Sequence, residues 1–145
     1  MAEEVEFMAG ESRNAMQKVA MTAIYDMLTY AAMGREVDVE AIVENLTSLD
    51  YEDAPYFVKA ALLYSIKYRT EAVEAFTANM RKWTFSRLNR LEQAILLLSY
   101  VHFFHIDETV EKGVVIDIAV KLAKTYLDDK DYRFVNAILD KVLVR

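Results

Sequence analysis

The chain predicts an all-α fold, and three observations carry that prediction. Three Gly and one Pro in 145 residues leave too few turn formers for a sheet-rich architecture. Apolar residues recur at three- and four-residue spacing along most of the chain, the signature of amphipathic helices. No segment sustains the apolar–polar alternation of a half-buried strand. At 54% hydrophobic and 28% charged, the composition is globular. The length suits one compact domain that buries a core without staples.

Taken in order, residues 1–11 are acidic and aperiodic, and are expected to form a flexible tail before a helical domain spanning 12–145. A first helix is expected from Ser12, as N-cap, to Met33, with Gly34 as its stop. Its buried stripe is Met16, Val19, Ala20, Ala23, Ile24 and Met27. Asp38 caps a short second helix carrying Ile42 and Val43. Asp53 is expected to cap a third, with Pro55 in its first turn, where a missing N–H is harmless; Val58, Leu62 and Ile66 face inward. Thr70 is expected to cap a fourth, which carries Val73, Phe76 and Met80 and ends near Trp83.

The fifth helix, from Asn89 to about Phe104, contains "AILLLSYVHFF", apolar almost all round. Such a helix is covered on several sides and is expected to be the central one. A sixth runs from about Val110 to Leu127, with Val115, Ile118, Ala119, Leu122, Ala123 and Tyr126 as its apolar stripe. The segment "LDDKD" is a turn, and Asp129 or Asp131 caps a seventh helix. On that helix, 100° per residue places Val135, Ile138, Leu139 and Val142 on one side, with Phe134 at the edge. Arg133, Asn136, Asp140 and Lys141 share the other.

The composition also limits function. Without cysteine, disulfides, thiolate metal sites and Cys nucleophiles are excluded. No Ser nucleophile elbow, Gly-rich phosphate loop or paired-carboxylate signature occurs, so no enzymatic activity and no cofactor are expected. His102 and His105, at i, i+3, give two metal ligands without converging carboxylates, which is too few for a site. The N-terminal "MAEEVEF" is acidic where a signal peptide is basic and then apolar, and no apolar run reaches a membrane span. A cytoplasmic protein is expected. Net charge is −6, against sequence-blind nucleic-acid binding. The charge is uneven, however: between residues 65 and 90, Lys67, Arg69, Arg81, Lys82, Arg87 and Arg90 face only Glu71 and Glu74.

Three segments carry a resemblance. "RKWTFSRLNRLEQAILLLSYVHFF" (81–104), "VVIDIAVKLAKTYLDDKDYRFVNAILDKV" (114–142) and "AMTAIYDML" (20–28) are similar to the central, final and first helices of the NusB family, the bacterial transcription antitermination factors. The resemblance implies a fold of two small helical bundles. It also implies binding of single-stranded leader RNA of ribosomal RNA transcripts, together with a small ribosomal subunit protein, NusE. Such a role needs phosphate-binding cations and groups that hold unstacked bases. Carried over residue by residue, the implied RNA contacts are Arg13, Lys18, Arg133, Phe134 and Asn136, and the implied partner contacts are Tyr25 and Glu92.

The chain departs from the family pattern at several positions. The first helix opens with "RNAMQK", two cations where the family has an arginine cluster, and Gln17 stands in place of an arginine. Leu97 stands for an arginine, His102 for a glutamate, and Asp117 and Ile118 for "NE". Replacing a whole buried ion cluster by apolar residues is often neutral or stabilising, whereas losing one partner is costly. These losses are mutually consistent. The alternative function is a divergent protein-interaction module that has lost RNA binding. Monomer and homodimer are both compatible with the sequence.

Overall fold

The computed structural model describes residues 12–145, of which Ser12 and Arg13 are described in backbone only. The expected acidic tail, residues 1–11, lies outside the described residues. Seven α-helices are present among them: α1 (Ser12–Ala32), α2 (Val39–Thr47), α3 (Tyr56–Lys67), α4 (Arg69–Thr77), α5 (Arg90–Val101), α6 (Lys112–Tyr126) and α7 (Asp129–Val142). No strand occurs among the described residues.

Local chemistry accounts for most boundaries. Gly34 adopts φ 69 just after α1, a left-handed conformation that an L side chain resists. Asp38 accepts the Ala41 N–H at 3.0 Å and caps α2. Asn89 accepts the Leu91 N–H at 2.8 Å and caps α5. At α7 the cap is Asp128, one residue before the expected pair; Asp131 returns its carboxylate to the Asp128 N–H, closing a capping box.

Two expected starts are corrected. Asp53 ends a single 3-10 turn, Tyr51–Asp53, and Pro55 is the residue preceding α3 rather than part of its first turn. Thr70 lies inside α4, because Tyr68 serves as both the end of α3 and the start of α4. α4 stops at Thr77, well before Trp83. α5 does not continue as an α-helix to Phe104: His102–Ile106 widen into a π-helical turn, a local insertion that re-aims the side chains following it.

The core forms around α5. Ile95, Leu96, Leu97 and Leu98 are consecutive and all buried, which one helix achieves only with neighbours on several sides. α1, α3, α4, α6 and α7 all pack against it. α1 also packs on α2 and α3, while α6 and α7 form an antiparallel pair, giving a helical group on either side of α5. In α1, Ala20, Ala23, Ile24 and Met27 are buried as expected, joined by Met21 and Leu28. Two stripe positions fail. In α3, Ser65 lies seven residues after Val58, two helical turns on, and takes the buried position, so Ile66 is exposed. In α6, Tyr126 is 39% exposed, with Lys18 of α1 lying 5.9 Å from its ring centroid.

Candidate nucleic-acid interface

The seventh helix presents its residues as the periodicity requires. Val135, Ile138, Leu139 and Val142 are buried, Phe134 is half-buried, and Arg133 and Asn136 are exposed. Arg133 and Lys124 both approach the Tyr132 ring, at 5.9 and 4.9 Å from its centroid. This couples the start of α7 to α6 through a cation–π cluster.

Lys18 is exposed on α1 and lies 5.9 Å from the Tyr126 ring centroid. Arg13 falls in the first turn of α1, its side chain outside the described part. The five residues expected to meet RNA are therefore divided between two places: the start of α1 beside Tyr126, and the exposed side of α7. Lys18 reaches Tyr126 at the end of α6, whereas Arg133 reaches Tyr132, the ring that Lys124 of α6 also approaches.

Tyr25 and Glu92 lie where α1 meets α5. Arg90 donates to Thr29 Oγ1 at 3.4 Å, linking the start of α5 to α1 one turn beyond Tyr25. Tyr25 is half-buried. Glu92 is 4% exposed, so it has little surface to offer a partner. Burial, and secondarily the nearby Asp131 carboxylate, push its carboxyl up to about 7, since desolvation penalises the charged form.

The histidines separate into two settings. His102 is buried and packs edge-on against Phe57 at 5.0 Å; burial lowers its pKa. His105 stacks on Tyr68 at 3.5 Å and hydrogen-bonds Glu71 at 2.7 Å. Tyr100 donates to the same carboxylate at 2.8 Å. The His105 hydrogen bond holds Glu71 below its ordinary value. Burial, then that carboxylate, raise the Tyr100 phenol. Sequence reasoning found no acid near these histidines because Glu71 comes from α4, across the helix packing. No group of three or more His, Asp or Glu gathers around a common point among the described residues.

The basic stretch from Lys67 to Arg90 is exposed at all six cations. It runs from the last residue of α3 through α4 and the following loop to the start of α5. Two features went unnoticed in the sequence. A groove of about 350 Å³ runs between the start of α1 and the end of α6, and a second of about 470 Å³ continues toward Phe57 and His102. Asn14, Gln17 and Ile118 line both. Only the exposed polar positions of α1 and α6 could have signalled these grooves, and helical periodicity alone gives no sign that the two helices diverge.

These features define a class: a small all-α protein built on one central apolar helix, with polar and aromatic grooves at its helix ends. Comparison with known proteins narrows it. The NusB family model matches residues 14–144. The transcription antitermination protein NusB of Finegoldia magna is 32% identical over 139 residues, 92% of this chain and 95% of that protein. The transcription antitermination protein NusB of Treponema denticola is 34% identical over 99 residues, 68% of this chain and 72% of that protein. The solved structure of T. maritima NusB superposes with a TM-score of 0.71 at 26% identity, covering 90% of this chain and 89% of that one. The chain belongs to the NusB family, and so to the proteins of transcription antitermination. No helix among the described residues is long and apolar enough to cross a membrane.

Proposed function

We propose that this protein binds the single-stranded leader of ribosomal RNA transcripts together with the small-subunit ribosomal protein NusE, in the cytoplasm, as a monomer or a homodimer. The observation that carries this reading is the family match across residues 14–144. In it, residues 12–145 are the working helical domain and the acidic segment 1–11 precedes it. Arg13, Lys18 and Arg133 meet phosphates. Phe134 and Asn136 hold an unstacked base, the ring by stacking and the amide by hydrogen bonds to a base edge. Tyr25 belongs to the face that meets the protein partner, and Glu92, buried, underlies that face rather than touching the partner.

The exposure of Lys18, Arg133 and Asn136, with Phe134 at the boundary, supports these roles. The charge balance sets the strength. Three cations on the RNA face, on a chain of net charge −6, give weak binding by this protein alone, because affinity for single strands grows with each phosphate neutralised. The partner must supply the rest.

The test is a titration of labelled leader RNA at low salt, with this protein alone and with its ribosomal partner. Tight binding by the pair and weaker binding by the single chain is the expected result. If the two proteins associate but retain no RNA at low salt, the chain is a protein-interaction module of the family instead.

A further inference from the structure

The loop that joins α4 to α5 carries Arg81, Lys82, Trp83 and Arg87, all exposed. Trp83, the single tryptophan of the chain, is 57% exposed, although indole is usually well covered in folded proteins. The loop is anchored from beneath. Phe85 is buried and stacks on Phe76 of α4 at 5.7 Å. A 3-10 turn spans Phe85–Arg87, and Gln93 of α5 donates to the Leu88 carbonyl at 2.9 Å. This anchoring holds the loop to both helices and leaves Trp83 uncovered among the cations. Those cations lack partners: none of Arg81, Lys82 and Arg87 is ion-paired among the described residues. Glu71, one of two carboxylates between Lys67 and Arg90, is already engaged by Tyr100 and His105. Positive charge is therefore gathered here on a chain whose net charge is −6, which favours the approach of a polyanion at this place. The loop also stands at the same end of the molecule as the start of α7. α5 packs on α7, and α4 touches it. The first turns of α5 and α7 are close enough for Asp131 to act on Glu92.

We propose that the segment 81–87 is a second contact for single-stranded RNA, in which Trp83 stacks on one base and Arg81, Lys82 and Arg87 hold the flanking phosphates. The inference rests on the RNA reading above and adds a surface to it, since none of these residues is among the contacts carried over from the family resemblance. A strand held on α7 by Arg133, Phe134 and Asn136 continues onto the loop at the same end of the fold. Indole stacking accepts any base, and cations hold phosphates whatever the sequence. The loop therefore contributes affinity and a longer track, not base choice. An acidic protein surface would satisfy the cations but would offer the exposed indole no flat partner. A nucleotide satisfies both with one unit.

The experiment uses Trp83 as its own reporter, because no other tryptophan emits from this chain. The full-length protein is paired with its ribosomal partner, any tryptophan of the partner being replaced by phenylalanine, and leader RNA is titrated in at low salt. Binding is followed by anisotropy of the labelled RNA and, in parallel, by tryptophan fluorescence. The RNA is expected to quench Trp83 along the same binding curve. Trp83→Leu should weaken binding by about tenfold. Arg81→Gln, Lys82→Gln and Arg87→Gln together should lower the slope of log affinity against log salt by about 2. Leader RNA bound by the wild-type complex without quenching of Trp83, or an unchanged slope in the triple variant, would overturn the loop contact and leave the RNA function standing. Loss of the ribosomal partner by the triple variant, with RNA affinity kept, would also overturn it, by assigning the loop to a protein surface. Failure of the wild-type complex to bind leader RNA would overturn the RNA reading, and the loop contact with it.

Discussion

Replacing Glu92 with Gln separates a buried carboxyl from every other titrating group in the fold. Glu92 lies in the first turn of α5, 4% exposed, and its pKa is pushed from 4.5 to about 7 by burial and by Asp131. Between those values the folded protein keeps a proton that the unfolded chain has released. The folded state therefore binds more protons than the unfolded state, and stability falls as pH rises. The full cost is reached above about pH 7, and a displacement of this size corresponds to up to about 3 kcal/mol. His102 acts in the opposite direction. Burial lowers its pKa from 6.5, so the unfolded chain binds the extra proton, and stability rises as pH climbs through that range. The wild-type profile sums opposing slopes, with Glu71 and Asp107, both held below their ordinary values, acting in the same direction as His102, and the Gln variant removes the Glu92 contribution alone. In urea unfolding, Glu92→Gln should exceed the wild type by about 1–3 kcal/mol at pH 8, with the gap shrinking toward pH 5. A gap independent of pH, or a variant less stable than wild type at pH 8, would refute the reasoning. It would mean that Glu92 is ionised and well partnered in the fold.

Three further outcomes follow from the structure. Leu97 is fully buried on the central helix, so Leu97→Ala should cost about 2–5 kcal/mol in denaturant unfolding. Gly34 has φ 69, and nothing lies within 4 Å of an added Cβ; Gly34→Ala should cost only the conformational strain, about 1 kcal/mol, read as a modest fall in Tm. Arg87 and Arg90 are exposed, and if the basic stretch shares in holding RNA, neutralising both to Gln should lower the slope of log affinity against log salt by about 1.4. An unchanged slope assigns them to an ordinary solvated face.

Much of the fold was legible because helical periodicity and caps report directly on local structure. Gly34, Asp38 and Asn89 mark real boundaries, and the apolar run from Ala94 marks the central helix. The errors arise where tertiary packing decides. Ile66 and Ser65 are adjacent, and only the approach of neighbouring helices determines which of them is buried. The π-turn after Val101 keeps the same apolar letters as an α-helix and so has no periodic signature. The placement of the candidate site's residues was legible in one half. The polar side of α7 follows from angular spacing, with Arg133 and Asn136 outward and Phe134 between. The other half depends on the first and sixth helices, distant in sequence, and the encounter of Lys18 with Tyr126 cannot be read from either alone. Glu92 illustrates the same limit: its place in the first turn of α5 is evident, but its burial comes from the packing of the surrounding helices.

In vitro transcription reads a role in antitermination exerted through leader RNA without an intervening binding assay. RNA polymerase is run through a terminator placed downstream of a ribosomal RNA leader, with the ribosomal partner present and this protein added or withheld. Adding it should raise readthrough only when the leader sequence is intact, and Phe134→Ala combined with Asn136→Ala should remove the increase. Equal readthrough with and without the protein, under conditions where it binds its ribosomal partner, would rule that role out.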